Sequence, residues 1–332
     1  VKPKLHILHT ERYLHNPTLI ESRVIREDFH LSKSCRADPR ADLIYTQTYA
    51  ASDILHVMEC TGKPYVVHMG GDIWYELVED PKRLRLVDRM LKRAILVVAN
   101  SSFLYRILVS HGLKNAIFLP GGLWGFDESV HGVMPARFDS KPSHPEVPKR
   151  YLMAISLKVR KKFLGIELFM RHAFPYLQSV GAEVVCAGKI GDKHFAVRME
   201  REYGVQFIGQ RADWTEYLPQ ADVFLHPSLF DCFPRALAEA KCAGLPCISL
   251  GVAGNVEVGD SPIYVDPDGK DEIVEALRAV QDRGLREYLG WMGRDSAIRK
   301  TEAHRRDYPA IFNILLKEGP ARLIRESKEA LS

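Results

Sequence analysis

Apolar residues along this chain gather in short β-rich runs, and stretches with a helical period lie between them. In the first half the pattern predicts strands at Leu5–His9, Leu43–Tyr45, Tyr65–Met69, Ile95–Ala99 and Ala116–Leu119. Helical spacing falls on Pro81–Arg93 and Ser101–His111. From Gly132 to Pro148 the chain is rich in Pro, Ser and His with little periodicity, which reads as a linker. The pattern then restarts. Strands are predicted at Tyr151–Ser156, Glu183–Ala187, Val205–Ile208, Val223–His226, Cys247–Leu250 and Ile263–Val265, and helices at Leu164–Ser179, Phe195–Tyr203, Pro234–Ala243 and Asp271–Asp282. Strands alternating with helices imply parallel sheets covered by helices. Two such α/β domains joined by a linker create a cleft, and ligands bind at the carboxyl ends of parallel strands.

Length agrees with this division, since 332 residues make two domains the natural expectation. With 46% apolar and 27% charged residues, the composition is that of an ordinary soluble protein. No run reaches the roughly 18 apolar residues of a membrane span. The N-terminal Val1-Lys2-Pro3-Lys4 lacks the features of a signal peptide. The six cysteines, Cys35, Cys60, Cys186, Cys232, Cys242 and Cys247, form no CxxC pair and no zinc spacing. A reducing, cytoplasmic setting is therefore expected, with no metal. A net charge of +4 says little about partners. The basic cluster Lys158, Arg160, Lys161 and Lys162 reads as a local site rather than a nucleic-acid stripe, so no nucleic-acid partner is expected.

The chemistry concentrates in His226-Pro-Ser-Leu-Phe-Asp231-Cys-Phe-Pro-Arg235-Ala-Leu-Ala-Glu239-Ala-Lys-Cys-Ala-Gly244-Leu-Pro246. A strand ends at His226, a tight loop holds Asp231 to Pro234, and a helix starts at Pro234 or Arg235. The free N–H groups of its first turn suit an anion such as a diphosphate, which makes Phe233, Pro234, Arg235 and Ala236 donor-binding candidates. Glu239 lies one turn inside, within reach of a polar ligand.

This segment resembles the retaining glycosyltransferases of family 4, which have the GT-B fold of two Rossmann-like domains facing a central cleft. Their hallmark is an acid, seven intervening residues and a Glu, matched here by Asp231 and Glu239, followed by Ala243-Gly244 and Pro246. Gly251-Val-Ala-Gly254-Asn-Val-Glu257-Val and Ile263-Tyr-Val-Asp266-Pro267 match further family segments. So do Val205-Gln-Phe-Ile-Gly209-Gln-Arg211 and, in the first half, Lys63-Pro-Tyr-Val-Val-His68-Met-Gly-Gly71-Asp72. The resemblance implies that Glu239 hydrogen-bonds the donor ribose and that Asp231 contacts the donor sugar. Arg211 would lie beside the base. His68 joins Asp231 as a catalytic candidate, and Glu11, Gly71 and Asp72 belong to the acceptor side. It also implies domains at 1–147 and 148–302, with a final helix in 303–332 crossing back to the first.

The chain departs from the family in several places. Asp231 replaces the usual Glu, which withdraws the carboxylate by one methylene. Cys232 replaces Gly and restricts the loop backbone. The family's phosphate-binding Gly-Arg-x-x-x-x-Lys-Gly corresponds to a longer segment here, in which Lys158 and Lys162 lead as phosphate ligands and Arg160 and Lys161 compete. His68 is offset by one residue, because Met69 takes the family's His position when Gly-x-Asp is matched, and one residue reverses the face of a strand. No Gly-rich loop follows the first strand.

The implied reaction moves a sugar from a nucleotide diphosphate to an acceptor with retention of configuration. The resemblance brings no metal and no further cofactor, the nucleotide sugar being a co-substrate. The acceptor is a carbohydrate, a lipid-linked molecule or another group. The basic amphipathic tail Ala321-Arg-Leu-Ile-Arg-Glu-Ser-Lys leaves room for peripheral membrane contact. A sugar-nucleotide epimerase and a non-catalytic nucleotide-sugar-binding protein of the same fold are the competing readings. A dehydrogenase is disfavoured, because no G-x-G-x-x-G follows the first strand.

Overall fold

A computed structural model describes residues 2–8, 29–34, 38, 40–47, 62–69, 81–119, 146–158, 160–211 and 214–331. The chain forms two compact units. One comprises Val1–Gly125 with Thr301–Ser332, the other Phe126–Lys300.

Among the described residues the first unit holds a parallel sheet of β1 (Lys4–Leu8), β2 (His30–Ser34), β3 (Leu43–Gln47), β4 (Tyr65–Met69), β5 (Leu96–Ala99) and β6 (Ala116–Phe118), in the order β2-β1-β3-β4-β5-β6. Every residue of β4 and β5 is buried. That two-sided burial explains why these strands read as continuous apolar runs rather than alternating ones. Helix α1 (Pro81–Arg93) precedes β5, and α2 (Ser102–Ser110) follows it. The Ser101 side chain caps α2 by accepting from Leu104 N at 3.0 Å, a contact typically contributing about 1 kcal/mol. Strand β2 is missed by a hydrophobic reading. Its sequence, His-Leu-Ser-Lys-Ser, is that of an edge strand, where polar residues are tolerated.

The second unit contains β7 (Arg150–Ala154), β8 (Glu183–Ala187), β9 (Val205–Gly209), β10 (Val223–His226), β11 (Cys247–Leu250) and β12 (Ile263–Val265), all parallel, in the order β12-β11-β10-β7-β8-β9. Its helices are α3 (Arg160–Ser179), α4 (Lys193–Tyr203), α5 (Arg235–Cys242) and α6 (Lys270–Ala279). Two 3-10 turns, Trp214–Gln220 and Ala253–Val258, are too short for periodicity to reveal. Met153, Phe169, Met170, Val223, Leu225 and Ile248 centre the core between the sheet and its helices. The cysteines Cys186 and Cys247 lie in this unit, and burial pushes both thiols up to about 12, which makes them inert packing groups.

Helix α7 (Arg283–Glu318) begins in the second unit and ends in the first; α8 (Ala321–Glu329) follows. Tyr308, Phe312 and Leu315 of α7 and Leu323 of α8 complete the first unit's core beside Leu5, Tyr45 and Val66. Ser327 of α8 satisfies an edge strand: its hydroxyl accepts from Phe118 N at 2.9 Å and donates to Phe118 O at 3.2 Å. No helix among the described residues is long and apolar enough to cross a membrane.

Candidate functional site

Three loops meet at the carboxyl ends of β7, β10 and β11. Helix α3 rises from the first of them. A Cβ built on Gly165 would fall 1.8 Å from the Pro227 carbonyl oxygen. Only glycine therefore lets α3 lie against the loop that follows β10. Lys162, one turn earlier in α3, thereby reaches Asp231, and its Nζ donates to Asp231 Oδ1 at 2.8 Å. The third loop locks the same peptide from the other side. Gly254 N donates to Asp231 O at 2.7 Å, and a Cβ on Gly254 would fall 2.0 Å from Cys232 O. Asn255 ties this turn to the β10 loop, donating from Nδ2 to Ser228 O at 2.8 Å and to Leu250 O at 3.0 Å.

Cys232, expected from the sequence resemblance to stand in place of Gly, is buried and is not among the non-glycine residues with positive φ. The loop thus asks for no left-handed residue there. That conformation appears instead at Ala253, with φ 51°.

Asp231 is nearly buried, and the two ends of its carboxylate face two bases. Lys162 holds Oδ1, and His226 Nε2 stands 3.6 Å from Oδ2. Burial alone would raise the carboxyl, but the Lys162 ammonium and the neighbouring His226 outweigh it and hold Asp231 below the ordinary carboxylate range. Glu239 has the opposite environment. It is buried on α5, and burial pushes its carboxyl up to about 7 against the pull of Arg235. Arg235 Nη2 donates to Glu239 Oε1 at 3.4 Å from the same helix. Pro234 stands at the N-cap of α5 rather than inside the helix, and no side chain caps that end. Pro234 has no side-chain acceptor to offer the first turn of α5, and the N–H groups of a helix's first turn are where an anion is received.

The remaining candidates are placed as follows. Phe233 and Pro234 are buried in the loop, and Ala236 is half-buried on α5. Lys158 is exposed in the turn after β7, its Cα beside Gly191 of the β8–α4 loop. Arg160 is exposed at the first position of α3. The Lys161 side chain lies outside the described residues. Arg211 is exposed, its guanidinium 5.5 Å from the centre of the Tyr217 ring. Glu11, Gly71 and Asp72 also lie outside the described residues. In the first unit, His68 is fully buried on β4. Its Nδ1 is 2.9 Å from the Tyr45 hydroxyl and 3.2 Å from that of Tyr308, which donates to Tyr45 at 2.7 Å.

Direct contact thus joins Lys162 to Asp231 and Arg235 to Glu239. Sequence reasoning overlooked His226 as a site residue, although it borders the motif as the last residue of its strand. It also overlooked the pairing of His68 with Tyr308, for which sequence carries no signal across 240 positions.

The two parallel-sheet α/β units define the GT-B fold, shared with solved glycosyltransferase structures. Residues 150–282 match the family model for glycosyl transferases group 1. HepE of Anabaena, solved with UDP and glucose, superposes with a TM-score of 0.72 at 14% identity, over 94% of this chain and 99% of HepE. Sucrose-phosphate synthase from Thermosynechococcus elongatus superposes with a TM-score of 0.64 at 17% identity, over 92% of this chain and 80% of the synthase. The Escherichia coli UDP-Gal:alpha-D-GlcNAc-diphosphoundecaprenol alpha-1,3-galactosyltransferase is 35% identical over 78 residues. That match spans 23% of this chain and 20% of the E. coli protein.

Proposed function

We propose that this protein is a glycosyltransferase that takes a hexose from a UDP-sugar and passes it to a hydroxyl acceptor with retention of configuration. The observation that carries the reading is the buried Asp231, flanked by the Lys162 ammonium and by the uncapped start of α5, with buried Glu239 one turn further on. Agreement of residues 150–282 with the group 1 model supports it. The choice of UDP rests on HepE, solved with UDP-glucose, and on the E. coli protein, named for UDP-Gal.

In this reading Glu239 accepts from the ribose hydroxyls, which favours its ionised form. The first-turn N–H groups of α5 and Lys162 hold the diphosphate, with Lys158, Arg160 and Arg235 near enough in sequence to add charge. Negative charge grows on the leaving diphosphate as the glycosidic bond breaks, and preorganised donors stabilise it there. Asp231 orients the sugar and is not assigned as a base. Binding donor and acceptor together supplies proximity. The reading calls for no metal. The acceptor is a carbohydrate or, by analogy with the named substrate of the E. coli protein, a lipid-linked sugar met at a membrane surface.

Calorimetry and thermal shift against UDP, GDP and ADP, and against UDP-glucose and UDP-galactose, test the donor site. Stabilisation by the uridine series, lost in Glu239→Ala, is the expected result. Binding of none of these compounds by the folded protein overturns the reading. Turnover of the donor without an acceptor would point to epimerisation instead.

A further inference from the structure

We infer that His226 is a positioning residue for Asp231 and takes over that carboxylate when a donor diphosphate draws Lys162 away. The inference rests on the proposed donor site and deepens it. His226 ends β10, is 2% exposed and lies nearly parallel to the ring of Phe224, with 12° between their planes. Both of its ring nitrogens are buried and have no hydrogen-bond partner among the described residues. Leaving such groups unsatisfied is destabilising, so an apolar side chain would suit a purely structural position better. The Nε2 atom stands 3.6 Å from Asp231 Oδ2, just beyond hydrogen-bond distance.

The other carboxylate oxygen, Oδ1, is engaged by Lys162 at 2.8 Å. A phosphate that captures the Lys162 ammonium removes this partner. A nearly buried carboxylate deprived of its counter-charge is strongly destabilised. An approach of less than about 1 Å brings Nε2–H into hydrogen-bond range of Oδ2. Asp231 is then held from one side by His226 while Oδ1 is freed to accept from a hydroxyl of the transferred sugar. The loop backbone stays in place throughout, because Gly254 N holds Asp231 O. His226 thus acts on the sugar through Asp231, and diphosphate and base binding do not depend on it.

The test compares binding of UDP with binding of UDP-glucose and UDP-galactose by calorimetry, in wild type, His226→Gln, His226→Asn and His226→Leu. The measured quantity is the affinity gained from the sugar, taken as the ratio of the Kd for UDP to that for the better UDP-sugar. His226→Leu is expected to bind UDP within about threefold of wild type and to lose about tenfold of the sugar gain, the size of one charge-assisted hydrogen bond. In His226→Gln the amide nitrogen sits where Nε2 was, and most of the gain returns. In His226→Asn the amide falls short, and the gain stays lost. Should His226→Leu fail to fold, the Gln and Asn variants still decide the matter. Equal sugar gain in all four folded proteins overturns the role of His226 and leaves the donor site standing. So does Gln behaving like Asn, or a wild type that gains nothing from the sugar. A wild type that binds no uridine compound overturns the donor site itself, and this inference with it.

Discussion

Lys162 and Asp231 are 69 positions apart in sequence, yet the lysine ammonium lies 2.8 Å from the carboxylate. One comes from the first turn of α3, the other from the loop after β10, and glycine at position 165 is what lets these segments meet. Among the described side chains of the basic residues from 158 to 162, this contact singles out Lys162 as the one that faces the acidic residue of the motif.

Replacing Lys162 by Met leaves Asp231 charged, nearly buried and short of its main partner. We expect this variant to lose about 3 kcal/mol of stability at neutral pH, as typically follows removal of one partner of a buried pair. Wild-type Asp231, held low, contributes stability that is present above the ordinary carboxylate range and is lost as pH falls through its own lowered value. The gap between the two proteins should narrow on acidification, because the stranded carboxyl of the variant takes up its proton first. Urea unfolding across pH measures this. An Asp231→Asn change made on top of Lys162→Met should recover most of the stability but no donor binding.

Glu239 should trade stability for binding. Its folded carboxyl is pushed up from 4.5 to about 7 by burial, so the folded state holds the proton more tightly than the unfolded chain does. Stability therefore declines as pH rises from about 4.5 to about 7 and stays low above it. Glu239→Gln removes this penalty and is expected to be more stable than wild type at pH 8 by on the order of 2 kcal/mol. The same variant should bind UDP more weakly. A thermal-unfolding series over pH, read beside calorimetry, decides both; a variant no more stable at alkaline pH contradicts the assignment.

UDP binding near pH 7 should release protons from the wild type, because ribose hydroxyls donate to Glu239 and favour its ionised form. Calorimetry in buffers of different ionisation enthalpy reports the number released. Identical heats in all buffers would show that Glu239 does not change state.

Gly165→Ala and Gly254→Ala test the loop clamp. Each added methyl would overlap a backbone carbonyl oxygen, at 1.8 Å and 2.0 Å respectively, and backbone cannot swing aside as a flexible side chain does. A loss of about 3 kcal/mol in denaturant unfolding is expected for each, with donor binding weakened as well. Wild-type stability in either variant would show that these loops have room to separate.

Tyr308→Phe probes the end of α7. The hydroxyl donates to Tyr45 and lies 3.2 Å from His68 Nδ1, so its removal should cost about 1 kcal/mol and raise hydrogen exchange in β3 and β4. An unchanged Tm and exchange pattern would mean that packing of Tyr308 alone anchors the helix.

Much of this architecture is written in local patterns. Val223–His226 and Cys247–Leu250 announce themselves as apolar runs because parallel strands are buried on both faces, and Asp231 and Glu239 stand out by their spacing around a helix start. Strand β2 does not announce itself, since an edge strand need not be apolar. What only the tertiary structure decided are the relations between distant segments: which lysine meets Asp231, that His226 stands 3.6 Å from the same carboxylate, and that Tyr308 joins Tyr45 and His68. Periodicity and caps depend on neighbours a few residues away and are legible in one dimension. Such pairings depend on how closely whole elements approach, and that is set by packing at positions such as Gly165 and Gly254, where a missing side chain leaves no mark beyond a single letter.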